Sequence, residues 1–126
     1  MKNLDAMPKD HFDAWRTMCI MDGTQENDRE RQTLFFIIAG NRELRSHTGQ
    51  IYDFERHSVK ILKDPDLFTC FSSSAVSLLK LAIHLYNGAY PTELSPVTLF
   101  WGLDDRNIQL VLCALAFHFK KEMVFL

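Results

Sequence analysis

Asp53 and His57 are four residues apart, so on a helix their side chains would share one face. A carboxylate beside an imidazole can orient a general base or supply two ligands to a metal. His47 could join them through the fold, yet a metal needs three or four ligands and the spacing supplies two. The plainer reading of Asp53 and His57 is a surface ion pair. A second arrangement is Ser72-Ser73-Ser74, ahead of a long apolar run. Backbone N–H groups at such a helix start attract phosphate or carboxylate. Neither a Gly-rich loop nor a following Lys is present, so this is not a P-loop, and ordinary capping by a serine explains it. His84 falls on a polar stripe and reads as a half-buried structural histidine. Cys70 would need a neighbouring base to act as a nucleophile. Asp53, His57, Ser73 and His84 are therefore the candidate polar or ligand site. No catalytic residue, metal ligand set or cofactor is assigned.

Charge bears on partners. Ten of the fourteen Lys and Arg precede residue 67, but so do twelve of the sixteen acids, and the net charge is -2. Arg29, Arg31, Arg42, Arg45 and Arg56 with Lys60 and Lys63 could form a basic face for phosphates or an acidic partner. Interleaved acids read instead as a solvated, ion-paired surface, and a nucleic-acid binder would carry a basic surplus. The three cysteines, Cys19, Cys70 and Cys113, are widely spaced and form no CxxC pair, which suits a reducing cytoplasm. Residues 1–10 mix Lys2, Asp5 and Lys9 with no apolar run, unlike a signal peptide. The apolar stretches fall short of a membrane span.

These residues need elements to position them. Asp10 and Asp22-Gly23 bracket a first helix whose apolar face would hold Phe12, Trp15, Met18 and Cys19. Thr24 or Asn27 would cap a second helix that begins charged and turns wholly apolar from Leu34 to Ala39. Gly40 would end it, and Asn41 would cap a short third. Residues 51–62 fit either a helix or a short extended segment, and Asp64-Pro65-Asp66 is a turn. Ser73 or Ser74 would start a helix over 75–87 that is apolar on most sides, hence buried. Ser95-Pro96 starts a short helix to Trp101, and Asp104 caps a last one over 105–120. The expected fold is all-α: a single domain over 1–126, an irregular helical domain of about six helices around two buried ones, 75–87 and 105–120. Even amphipathicity, which a four-helix bundle requires, is missing.

Apolar residues at the C-terminal end lack an evident place. Phe100, Trp101, Val124, Phe125 and Leu126 form the candidate interface, because exposed apolar groups mark contacts.

Three stretches together resemble a family of small uncharacterised bacterial and phage proteins. They are Asp28-Arg29-Glu30-Arg31 leading to Phe35-Phe36, then Ile51-Tyr52-Asp53-Phe54-Glu55, then the segment Leu81-Ala82-Ile83-His84-Leu85-Tyr86-Asn87-Gly88. The resemblance spans roughly residues 10–120. This chain departs from it at Ile83 and His84, where an aromatic and Asn are expected. The resemblance implies a cytoplasmic protein from a bacterium or mobile element and brings no activity with it. The expected function is a protein-interaction module, acting on another protein or on a second copy of itself, as a phage-related regulator or inhibitor of host machinery. The alternatives are an enzyme or small-ligand or metal-binding protein using Asp53 and His57, and a nucleic-acid binder using the basic first half.

Overall fold

The computed structural model describes residues 8–122. It is mostly helical, as expected. The order is α1 (Lys9–Asp22), α2 (Arg29–Gly40), α3 (Arg42–Ser46), α4 (Thr48–Ile51), β1 (Tyr52–Asp53) and β2 (Ser58–Val59). Two 3-10 turns follow, Lys60–Leu62 and Pro65–Cys70, then α5 (Ser73–Asn87), α6 (Pro96–Trp101) and α7 (Asp105–His118). The two strands form one antiparallel hairpin with Tyr52 opposite Val59 and Asp53 opposite Ser58. The ambiguous stretch after Ile51 is thus neither one helix nor one strand. Among the described residues no helix is long and apolar enough to cross a membrane.

The centre of the molecule is α2. Thr33 through Ala39 are all buried, because α1, α5 and α7 pack around this helix. A seven-residue run buried on every side of its helix belongs in the middle of a core, and its one polar member, Thr33, is satisfied by His118 at 2.8 Å. The helices over 75–87 and 105–120 bury broad faces in the core as expected, and together with α1 they also enclose α2, which is the more deeply buried. Their partly exposed residues, such as Ser77 and Leu112, face outward. One contiguous cluster of buried residues runs from Met18 through Ala114.

Local signals worked with small displacements. α1 starts after Pro8 with no side-chain cap, so Asp10 lies in the first turn and pairs with Arg45 at 3.3 Å. Its inward residues include His11, Met18 and Asp22, whereas Phe12 is exposed. Gly23 ends it in a left-handed conformation, φ 69°, that glycine alone adopts without cost. Asp28, rather than Thr24 or Asn27, caps α2 by accepting the Arg31 N–H at 3.1 Å. Ser72, rather than Ser73 or Ser74, caps α5. Asn41, Ser95 and Asp104 cap α3, α6 and α7 as their types suggest. The C-terminus of α7 is closed from outside: Arg29 donates to the Phe117 carbonyl at 3.2 Å and lies over the Phe117 ring.

Candidate functional site

Among the described residues no hydrogen bond or ion pair joins Asp53 to His57. They flank the hairpin turn rather than a helix, and the backbone uses each differently. Asp53 accepts the N–H groups of Glu55 and Arg56 at 3.0 Å each, which builds the turn. These bonds hold its carboxyl below the ordinary value. His57 closes the turn with φ 53°, a left-handed conformation that costs a branched-at-Cβ or bulky residue about 1 kcal/mol or more.

What His57 meets is Asp22. This residue ends α1, and the Gly23 turn folds the following chain back over it. Its side chain is only 3% exposed, yet three donors converge on it. Thr24 Oγ1 donates to Oδ2 at 2.6 Å, and Tyr52 Oη donates to Oδ1 at 2.6 Å. His57 Nδ1 lies 2.8 Å from Oδ1. Burial opposes the charge on Asp22, but the bonds from Thr24, Tyr52 and His57 outweigh it and hold the carboxyl below its ordinary value. An ionised carboxylate can only accept, so His57 Nδ1 is the protonated nitrogen.

Arg31 completes the arrangement from α2. Its Nε donates to Tyr52 Oη at 3.2 Å, and its two terminal nitrogens donate to Asp28 Oδ2 at 2.8 Å and the His57 carbonyl at 3.0 Å. The guanidinium lies over the Tyr86 ring of α5. Four separate segments therefore meet in one hydrogen-bonded cluster. The hydroxyl of Tyr52 is pushed well above the ordinary phenol value by burial and by the Asp22 charge, so it remains a donor.

A shallow apolar groove of about 430 Å³ runs beside α1. Asp13, Ala14, Thr17, Met18 and Met21 line it from α1, and Thr48, Gly49 and Phe54 from the segment of α4 and the hairpin turn. Met21 is the chain neighbour of Asp22, and Phe54 opens the turn that His57 closes.

The remaining candidates have local employment. Ser73 is exposed at the start of α5. The anion position there is filled by the chain itself: Glu43 accepts both the N–H and the hydroxyl of Ser72 at 2.7 Å. Those two bonds hold the Glu43 carboxyl below its ordinary value. His84 donates Nδ1–H to the Ala89 carbonyl at 2.8 Å and closes the end of α5. His47 likewise donates to the Glu43 carbonyl at 2.9 Å. Among the described residues no group of three His, Cys, Asp or Glu comes together as a metal site. Of the basic set, Arg29, Arg31 and Arg45 are spent on carbonyls and carboxylates of this chain. Phe100 is partly buried against the core, while Trp101 points outward with 91% of its surface exposed. Val124, Phe125 and Leu126 lie outside the described residues.

Sequence reading missed Asp22, Tyr52 and Arg31. Asp22 looked like a helix stop beside Gly23, and Arg31 like one of several surface charges. No periodicity links residues 22, 31, 52 and 57. The only hint was a Tyr and an Arg in motifs that carried the family resemblance. In comparison with known families, residues 1–122 match a family of unknown function (DUF6075). No curated protein matches the chain. No solved structure matches it either.

Proposed function

We infer that this chain, which belongs to the DUF6075 family of unknown function, is a small protein-interaction module. One observation carries the reading: Trp101 is 91% exposed and Val97, one turn earlier on α6, is 77% exposed. Residues four apart share a helix face, so the two present one apolar surface. Leu99 and Phe100 turn the other way and anchor α6 to the core. A tryptophan is the residue type most often found dominating an interface when it enters a pocket on a partner. The exposed Asp104, Asp105 and Arg106 follow within five residues, so the fitting partner offers an apolar pocket with a polar rim of mixed charge.

The same proposal places the chain in the cytoplasm of a bacterium, as a phage- or mobile-element-related regulator or inhibitor of host machinery. What supports that setting is the motif resemblance read from the sequence at residues 28–36, 51–55 and 81–88.

The test compares wild type with Trp101→Ala and Val97→Asp. Each is used to retain partners from the source cell, and the retained protein is purified and titrated against all three. A loss of about 30-fold or more in affinity for the alanine variant is expected, corresponding to at least about 2 kcal/mol for a central anchor. Unchanged affinity in both variants removes α6 as the contact surface. Native mass spectrometry of the three proteins decides whether the partner is a second copy: a dimer lost on substitution would show it.

A further inference from the structure

We propose that the outward face of α7 is the seam of a two-fold dimer, in which α7 lies antiparallel against α7 of a second copy of this chain. The face is distinct from Val97 and Trp101 on α6, and the proposal does not depend on them.

The inner side of α7 is taken up by the fold. Leu110, Val111, Ala114 and Phe117 are buried, and His118 is bonded to Thr33 of α2 at 2.8 Å. A helix with one side in the core ordinarily turns polar residues to water. α7 does not. Ile108, Leu112, Leu115 and Phe119 follow one another at spacings of four, three and four, which puts them in one stripe along the helix. Ile108 and Leu115 are only partly covered by the core, while Leu112 is 45% and Phe119 56% exposed. From Ile108 to Phe119 the only strongly polar side chain besides His118 is Gln109. Apolar residues exposed singly need no explanation. A run of them at the alternating spacing of a helix–helix seam is the pattern that a second helix covers.

Charge selects which helix that is. The start of α7 carries the exposed Asp104 and Asp105, and Asp105 lies three residues before Ile108, on the line of the stripe. Arg106 stands one turn before the buried Leu110, off that line. The far end carries the exposed Lys120 and Lys121 directly after Phe119, with one acid, Glu122, beyond them. A second α7 laid parallel would set acids on acids and lysines on lysines. Turned end for end by a two-fold axis, it sets Asp105 of each copy towards Lys120 of the other, twice over. The face is thus complementary to itself in one orientation, and the partner that fits it is a second copy. The fourteen residues of α7 span about 21 Å. A seam of that length buries less than the roughly 1,600 Å² of a standard stable interface, so the dimer dissociates in the micromolar range.

The experiment is sedimentation velocity of the whole chain from about 1 to about 500 µM, a range that brackets micromolar dissociation. Wild type is expected to pass from monomer to dimer across it. Leu112→Asp changes an exposed side chain, and a circular dichroism melt checks that the fold stands. It is expected to weaken the dimer by about 100-fold or more, since each substitution counts twice in a two-fold assembly. Asp105→Lys is expected to weaken it by about tenfold, and adding Lys120→Glu to that variant to restore it, because the pair is rebuilt with its signs exchanged. Wild type that stays monomeric throughout overturns the proposal, an outcome that needs no variant to fold. So does a dimer that survives Leu112→Asp; if that dimer is lost in Trp101→Ala, self-association belongs to α6. Failure of Lys120→Glu to rescue Asp105→Lys overturns the antiparallel pairing.

Discussion

Asp22 keeps its charge under cover because donors from three places reach it: Thr24 just beyond α1, Tyr52 on β1 and His57 at the end of the turn. Removing it strands the other partners. Asp22→Ala is expected to destabilise the protein by about 2–4 kcal/mol, since bonds to a charged acceptor contribute about 1.5–3 kcal/mol each and neighbours recover part of the loss through water. The urea midpoint of the variant measures this. pH dependence follows from the same scale. Burial holds His11 and His118 below the ordinary histidine value of 6.5, so the unfolded chain takes up these protons first as pH falls. Their contribution is complete above 6.5 and fades as pH drops toward their lower folded values. Asp22 acts further down: its contribution is complete above 3.8 and is lost as pH falls through its lower folded value. The thermal midpoint should therefore decline in two stages on acidification. A midpoint that stays level from pH 7 to pH 4.5 would contradict the assignment of buried His11 and half-buried His118 as groups that desolvation keeps neutral.

At the scale of elements, α2 works because its neighbours approach closely. Gly40 shows this best. A Cβ there would collide with the Leu110 side chain of α7 and come within 2.8 Å of the His11 ring of α1. Leu110 can swing aside. His11 cannot, because Nε2 is bonded to the Phe36 carbonyl at 2.8 Å and its ring packs on Phe36. Alanine in place of glycine in a helix ordinarily gains up to about 1 kcal/mol. The clash should reverse that, so Gly40→Ala is expected to cost a net of about 1–2 kcal/mol in chemical denaturation. Gly49 in α4 has nothing within 4 Å of its missing Cβ. Gly49→Ala should be neutral or slightly stabilising, and equal losses at both positions would refute this reading of α1–α2–α7 packing. Element ends were legible because capping needs only a polar side chain within a few residues, as at Asn41, Ser95 and Asp104. The displaced starts, at Asp28 and Ser72, arise where several capping types stand in a row and tertiary contacts choose among them. Glu43, for instance, reaches Ser72 from α3.

Across the whole molecule, the two tryptophans divide inside from outside. Trp15 packs edge-on against Phe36 and Phe117 and donates its indole N–H to the Gln32 carbonyl at 2.8 Å. Trp101 is nearly free of contact on α6. Fluorescence of wild type should show one readily quenched and one protected component, with acrylamide or iodide as quencher. Trp101→Phe should delete the quenched one and leave the melting temperature within about 1–2 °C, since surface changes shift stability by about 0.5 kcal/mol or less. A single protected component in isolated wild type would mean that α6 is already covered, and would redirect the interaction reading to self-association.

The amino-acid sequence by itself determined the helical character, most of the helix ends and the apolar run that becomes the centre. These depend on spacing and on residue types within a few positions, where period and capping act. It did not determine which helix is central. Residues 34–39, 75–87 and 105–120 are all strongly apolar, and only packing shows that α2 is enclosed by the other two and α1. Nor did it pair His57 with its carboxylate. Asp53 is the nearer acid in sequence, but the turn consumes Asp53 in its own backbone bonds, and the fold carries Asp22 across thirty-five positions to the imidazole. A hydrogen bond depends on distance in space, and chain spacing sets that distance only within one element.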